Sequence, residues 1–299
     1  MEYVPFAFVD ALCATLKKKD LKILQEIGEP WTSTVTTHYS RRREVKVLLD
    51  VNPEGTEVEI GVLEYGHSTY GKVASLSRND RIRLIWMGYP FIRLPEQMPM
   101  ERFRSKVLPA LTSLADDYEF RIYIRRYPQH LTDSLFSCLH GSALEIRTGY
   151  FGQKSTEFIE QQRRTGRLEH LELYGNKWPD RMKAIVKLFL KSPNFVSLDL
   201  GGNLKVDRDM LICIVQRFLK GDLRKGALLQ GKPSKEMKAL HRALLFGGDL
   251  PLLDRLLDQR AKIIREINTD MAGICWTRPD SERLHAWISP CNFVEVYRL

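Results

Sequence analysis

The sequence predicts an α/β solenoid with parallel strands behind a small helical N-terminal unit. Three observations carry this expectation. Residues 144–203 repeat themselves. Strand-like and helix-like segments alternate through the middle of the chain. Residues 1–43 carry helical periodicity on too few apolar side chains to form a large core alone.

The repeat is the most specific of the three. Leu168, Leu171, Leu173 and Asn176 read L-x-x-L-x-L-x-x-N, and 27 residues later Phe195, Leu198, Leu200 and Asn203 read F-x-x-L-x-L-x-x-N. One further step back the apolar pair recurs as Leu144 and Ile146, with Gly149 where the Asn would stand. This spacing is the mark of a leucine-rich repeat. The L-x-L core predicts a short strand whose leucines point inward, because strand side chains alternate faces. The Asn side chain suits a turn, where it bonds backbone groups. One such unit cannot bury its own apolar face, so neighbours must stack.

The elements follow in order. Phe8, Val9, Leu12 and Leu16 mark a helix over 5–16, Asp20 an N-cap for a second helix over 21–27, and Thr32–His38 a third helical stretch. Val45, Val47 and Leu49, then Val58 to Leu63, predict a β-hairpin across Asn52-Pro53-Glu54-Gly55. Residues 66–79 read as a loop. Strands are expected at 81–86, 121–124, 144–147, 171–174 and 198–200. Helices are expected at 99–115, 130–140, 155–164, 178–191 and 207–220. Such alternation implies a parallel sheet with right-handed crossovers. Residues 234–246 and 250–267 read as helices, with Asp249 capping the second. Trp276, Trp287 and the alternating 293–297 read as a terminal hairpin that caps the array.

Composition narrows the function classes. The chain has 299 residues, 43% hydrophobic and 28% charged, ordinary for a globular protein. No apolar run approaches the ~18 residues of a membrane span. The start lacks the basic region of a signal peptide, and the five cysteines form no C-x-x-C pair. An intracellular protein, cytoplasmic or nuclear, with reduced cysteines is expected. The net charge of +9 keeps a nucleic-acid partner in view. Enzyme signals are poor. Gly149–Ser155 lacks the Walker spacing, the seven histidines show no H-E-x-x-H, and no Ser sits in G-x-S-x-G. No catalytic residue, metal or cofactor is expected. Asp116-Asp117 reads as a helix end in solvent.

The N-terminal unit resembles a divergent F-box. An apolar-Pro pair is present as Val4-Pro5, then a helix through Phe8, Leu12 and Leu16, an Asp-Leu step at Asp20-Leu21 with Leu24, and a closing Trp31. The C-terminal Trp287, Pro290, Glu295 and Val296 resemble the endings of F-box-like proteins expanded in nematodes. The resemblance implies docking of a Skp-type adaptor through Val4, Pro5, Phe8, Leu12, Leu16, Leu21, Leu24 and Trp31. It also implies recruitment of a protein target to a cullin-type ubiquitin ligase. It divides the chain into an F-box-like unit at 1–43, a strand–helix repeat region at 44–221, and a helical segment with capping hairpin at 222–299.

The side chains flanking each inward leucine should face a concave, target-binding side. These are Arg121, Tyr123 and Arg125, then Glu145 and Arg147, then His170, Glu172 and Tyr174, and then Ser197 and Asp199. Early strands are basic and later ones acidic, so a partner would meet a graded potential. Two alternatives stay open: a repeat module that binds protein without a ligase link, and a basic RNA-binding protein.

Overall fold

A computed structural model describes residues 4–16, 18–28, 31–88, 93–123, 127–247, 261–266, 271–289 and 293–299. Arg125, Asp249, Pro290 and Cys291 lie outside these described residues. The chain folds as two compact α/β units. The first comprises Met1–Tyr118 with Cys138–Gly141, and the second Glu119–Ser137 with Ser142–Leu299.

The first unit opens with three helices, α1 (Phe6–Thr15), α2 (Lys18–Leu24) and α3 (Trp31–Arg41). Val9, Cys13, Leu21 and Val35 form their shared core, with Val4, Leu16, Leu24, Trp31 and Tyr39 packed around it. Asp20 lies inside the first turn of α2, not at its cap, because that helix starts at Lys18. The buried Arg42 guanidinium donates to the carbonyls of Cys13, at 2.9 Å, and of Leu16. It thereby satisfies acceptors that the end of α1 leaves without helical partners.

The expected hairpin is present. β1 (Glu44–Val51) and β2 (Glu57–Glu64) pair antiparallel, and β1 pairs parallel with β3 (Arg81–Met87). The turn is held by Asn52, whose side-chain oxygen accepts the backbone N–H groups of Thr56 and Glu57 at 2.9 and 3.0 Å. The short strand β4 (Glu96–Pro99), not foreseen, pairs with β2. Helical residues follow as α4 (Met100–Arg102), a π-turn at Phe103–Val107 and α5 (Leu108–Leu114).

β5 corrects the sequence reading. It runs Ala115–Ile122, beginning six residues before the expected strand at 121. Asp116 and Asp117 therefore belong to a strand, not a helix end. Asp116 is exposed, but Asp117 is buried at a positive φ of 51°.

In the second unit helices and strands alternate as expected: α6 (Gln129–Cys138), β6 (Ala143–Gly149), α7 (Gln153–Thr165), β7 (His170–Tyr174), α8 (Arg181–Leu190), β8 (Ser197–Leu200), α9 (Arg208–Lys220). The strands β6, β7 and β8 pair parallel in sequence order, and β8 continues parallel to β9 (Leu228–Gly231). The sequence reading missed β9. Asp207 caps α9 by accepting the Met210 N–H at 3.0 Å. Ser234 caps α10 (Lys235–Phe246) by accepting the Met237 N–H at 3.3 Å.

The helices cover one face of this sheet. Phe120 of β5 meets Phe136 of α6 and Phe158 of α7 edge-on, at centroid distances of 5.8 and 5.5 Å. Ile146, Leu171, Leu173, Leu198, Leu200 and Leu229 point to this covered side and are buried. The repeat becomes register. Leu171 opposes Leu198, and Leu173 opposes Leu200, with the 27-residue offset of the motif. The expected third copy is displaced. Ile146, not Leu144, opposes Leu171, so β6 is offset from β7 by two residues fewer. Thr148, rather than Ile146, then opposes Leu173, and Gly149 opposes Tyr174.

Residues 250–267 were expected to be helical. Residues 261–266 form strand β10 (Ala261–Glu266), and 250–260 lie outside the described residues. The expected terminal hairpin is larger. β10, β11 (Met271–Thr277), β12 (Arg283–Ser289) and β13 (Phe293–Arg298) form an antiparallel meander. β13 pairs antiparallel with β9 and so covers the edge of the parallel run. Among the described residues no helix is long and apolar enough to cross a membrane.

Candidate functional site

With helices on one side, the alternate side chains of β6 to β9 project from the other. Glu145, Arg147, His170, Glu172, Ser197 and Asp199 stand there, joined by Leu228 and Gln230 of β9. Together they line an open depression of about 390 Å³. Six of the side chains expected to face a target thus meet at one place: Glu145, Arg147, His170, Glu172, Ser197 and Asp199. Leu228 and Gln230 escaped the sequence reading because β9 is only four residues long and shows one buried leucine.

The other expected contacts are distributed differently. Tyr174 is half-buried at the end of β7, and burial pushes its phenol well above the ordinary range. Tyr123 is exposed just beyond β5. Arg121 lies beside β6 and reaches Glu145 at 3.0 Å.

The charges form a ladder across the strands. Arg121 bridges Glu119, at 2.7 Å, and Glu145. Arg147 bridges Glu145 and, at 3.2 Å, Glu172. Among the described residues the arginines of the early strands, Arg121 and Arg147, are therefore paired within the protein rather than free for a partner. Glu119 supplies part of that pairing. The expected strand start at 121 leaves Glu119 off this face, whereas β5 includes it.

The later part of the face is polar and acidic. His170 Nδ1 and the Ser197 hydroxyl lie 2.7 Å apart. Asp199 accepts a hydrogen bond from the Gln230 amide at 2.6 Å. Glu172 and Asp199 stand directly opposite each other on β7 and β8. Burial raises the Glu172 pKa. Asp199 and Glu145 push it the same way, against the opposing pull of Arg147.

The expected adaptor contacts divide into two groups. Leu21 is fully buried in the core of the helical unit, so it holds that unit together and offers no surface. Val4, Leu16, Leu24 and Trp31 are partly buried against the same core. Pro5 and Phe8 are exposed, and Leu12 is half-exposed. The sequence reading missed Phe6 (70%) and Ile23 (65%), which are exposed along with Phe8 (56%) and Ile27 (54%).

Among the described residues no group of three or more His, Cys, Asp or Glu could hold a metal ion. The described cysteines Cys13, Cys138, Cys213 and Cys275 are free thiols. No protein-family model matches the chain. None of the curated proteins matches it.

Proposed function

We propose that this protein is a non-enzymatic recruiting subunit. Its N-terminal helices dock a Skp-type adaptor of a cullin ubiquitin ligase, and its repeat strands hold a protein target. The observation that carries the proposal is the depression over β6 to β9. Outward side chains of successive parallel strands line it, which is how a leucine-rich-repeat array builds a binding surface. The 27-residue motif, realised as strand register between Leu171 and Leu198, supports the repeat reading. The exposed Phe6, Phe8, Ile23 and Ile27 support a docking role for the helical unit. The F-box resemblance of Val4-Pro5, Asp20-Leu21 and Trp31 supplies the class of partner. An intracellular location, cytoplasmic or nuclear, follows from this role.

The test is retention of a purified Skp-type adaptor by the intact chain. Phe6→Ser with Phe8→Ser should abolish retention and leave the melting temperature unchanged, because both side chains are exposed. If the intact chain retains no such adaptor, the ligase link falls. The protein-binding module without that link then takes its place.

A further inference from the structure

The outward face of the second unit's sheet extends beyond the depression. Strand register aligns Arg147, Glu172, Asp199, Gln230, Glu295 and Trp287 in one row across six strands. A neighbouring row carries His170, Ser197, Leu228, Tyr297 and His285. We infer that this face recognises an extended, lysine- or arginine-bearing segment of a protein partner. The inference rests on reading the face as the target-binding surface.

Charge decides the sign of the partner. The first row holds three carboxylates and one cation, and that cation, Arg147, is already engaged by Glu145 and Glu172. Asp199 has a neutral partner, the Gln230 amide. Glu172 sits in a half-buried position where its negative charge is held at a cost, from burial first and then from Asp199 and Glu145. A cation brought by a ligand would relieve that cost, and an anion would increase it. A phosphate would also have to displace Glu119 and Glu145 from Arg121, or Glu145 and Glu172 from Arg147.

The far end of the row adds an aromatic wall. Gly273 lies opposite Trp287, and a Cβ at Gly273 would stand 2.8 Å from the indole. The indole therefore lies over the bare backbone of β11, a close approach that only glycine permits. Tyr297 and His285 stack at 5.5 Å, nearly parallel at 9°. Aromatic faces beside carboxylates suit a guanidinium or ammonium group on an aliphatic stem. From Glu172 to Trp287 the row crosses four strand spacings, about 19 Å, the reach of about six extended residues.

The experiment uses the full chain and three fluorescent probes. These are a short peptide alternating Lys with Ser, the same peptide with Glu for Lys, and a single-stranded RNA. Binding is read by fluorescence polarisation. The net charge of +9 disfavours non-specific attraction of a cationic peptide, so its binding reports the local face. The Lys peptide should bind, and the Glu peptide and the RNA should not. The near-isosteric double variant Glu172→Gln with Asp199→Asn should weaken the Lys peptide at least about tenfold. Glu54→Gln with Glu101→Gln, an equal change of charge at two exposed positions of the other unit, should leave affinity unchanged.

Failure of the Lys peptide to bind overturns the inference. So does a preference for the Glu peptide or RNA, or equal affinity in the double variant. A photo-crosslinker at Ser197 separates this failure from failure of the target-face reading. A protein crosslinked there through an acidic segment overturns the basic partner and leaves the face as a target site. Absence of any crosslinked protein removes the face as a target site and the inference with it.

Discussion

Asn203 holds the backbone of Trp178 from both sides. Its side-chain oxygen accepts the Trp178 N–H at 3.2 Å, and its side-chain nitrogen donates to the Trp178 carbonyl at 2.8 Å. The Trp178 indole is buried and donates to the Tyr174 carbonyl at 2.9 Å. The Asn that closes one copy of the motif thus fastens the loop that leaves the preceding strand. Asn203→Ala leaves two backbone groups without partners and should cost about 1–3 kcal/mol. Chemical denaturation measures it. An unchanged midpoint would show that water replaces both bonds.

Gly202 precedes that Asn at a φ of 68°. A Cβ there would stand 1.6 Å from the Gly175 carbonyl oxygen and 2.8 Å from Asn176 Oδ1. Gly202→Ala combines left-handed strain with a backbone clash and should cost at least about 2 kcal/mol. A melting temperature equal to the parent's would mean that the two loops do not approach this closely.

Leu171 lies between Ile146 and Leu198 on the covered face and is buried. Leu171→Asp places an uncompensated charge there and should cost about 3–5 kcal/mol, a large share of a domain's stability of about 5–15 kcal/mol. Leu188→Asp, on the exposed side of α8, should change stability by no more than about 0.5 kcal/mol. Equal melting temperatures for the two variants would contradict the assignment of faces.

The carboxyl of Glu172 has a raised pKa in the folded chain, chiefly through burial. The folded state therefore binds this proton at higher pH than the unfolded state does. The resulting loss of stability is complete above the folded pKa and disappears as the pH falls below the unfolded value of about 4.3. Glu172→Gln should raise the melting temperature at pH 7.5, and the gain should shrink as the pH approaches 4. A variant less stable than the parent at pH 7.5 would show that the Arg147 ion pair outweighs the burial cost.

Local chemistry was legible wherever it acted within one element or one motif. The helices expected over 207–220 and 234–246, the β1–β2 hairpin with its turn at 52–55 and the inward leucines of β7 and β8 all follow from short-range spacing. Side-chain alternation placed Glu145, Arg147, His170, Glu172 and Asp199 on one face before any pairing was known. Asp20 is not a cap, because α2 starts at Lys18, three residues before the expected 21, and so takes Asp20 into its first turn.

The spacing of apolar residues sets the periods, and hence which side chains share a face. Which strands lie beside each other, and in what register, comes from the packing of distant parts of the chain. Leu144 looked like the next leucine of the repeat, yet the sheet sets Ile146 against Leu171. Ala115–Glu119 and residues 261–266 became strand where local pattern suggested helix or loop, because a neighbouring strand pairs with them. The sign of the outward face was decided the same way. Arg121 and Arg147 read as free cations in sequence, but cross-strand carboxylates at 3.0–3.2 Å neutralise them. Alternation is fixed by backbone geometry within a strand, whereas charge pairing depends on contacts between residues far apart in the chain.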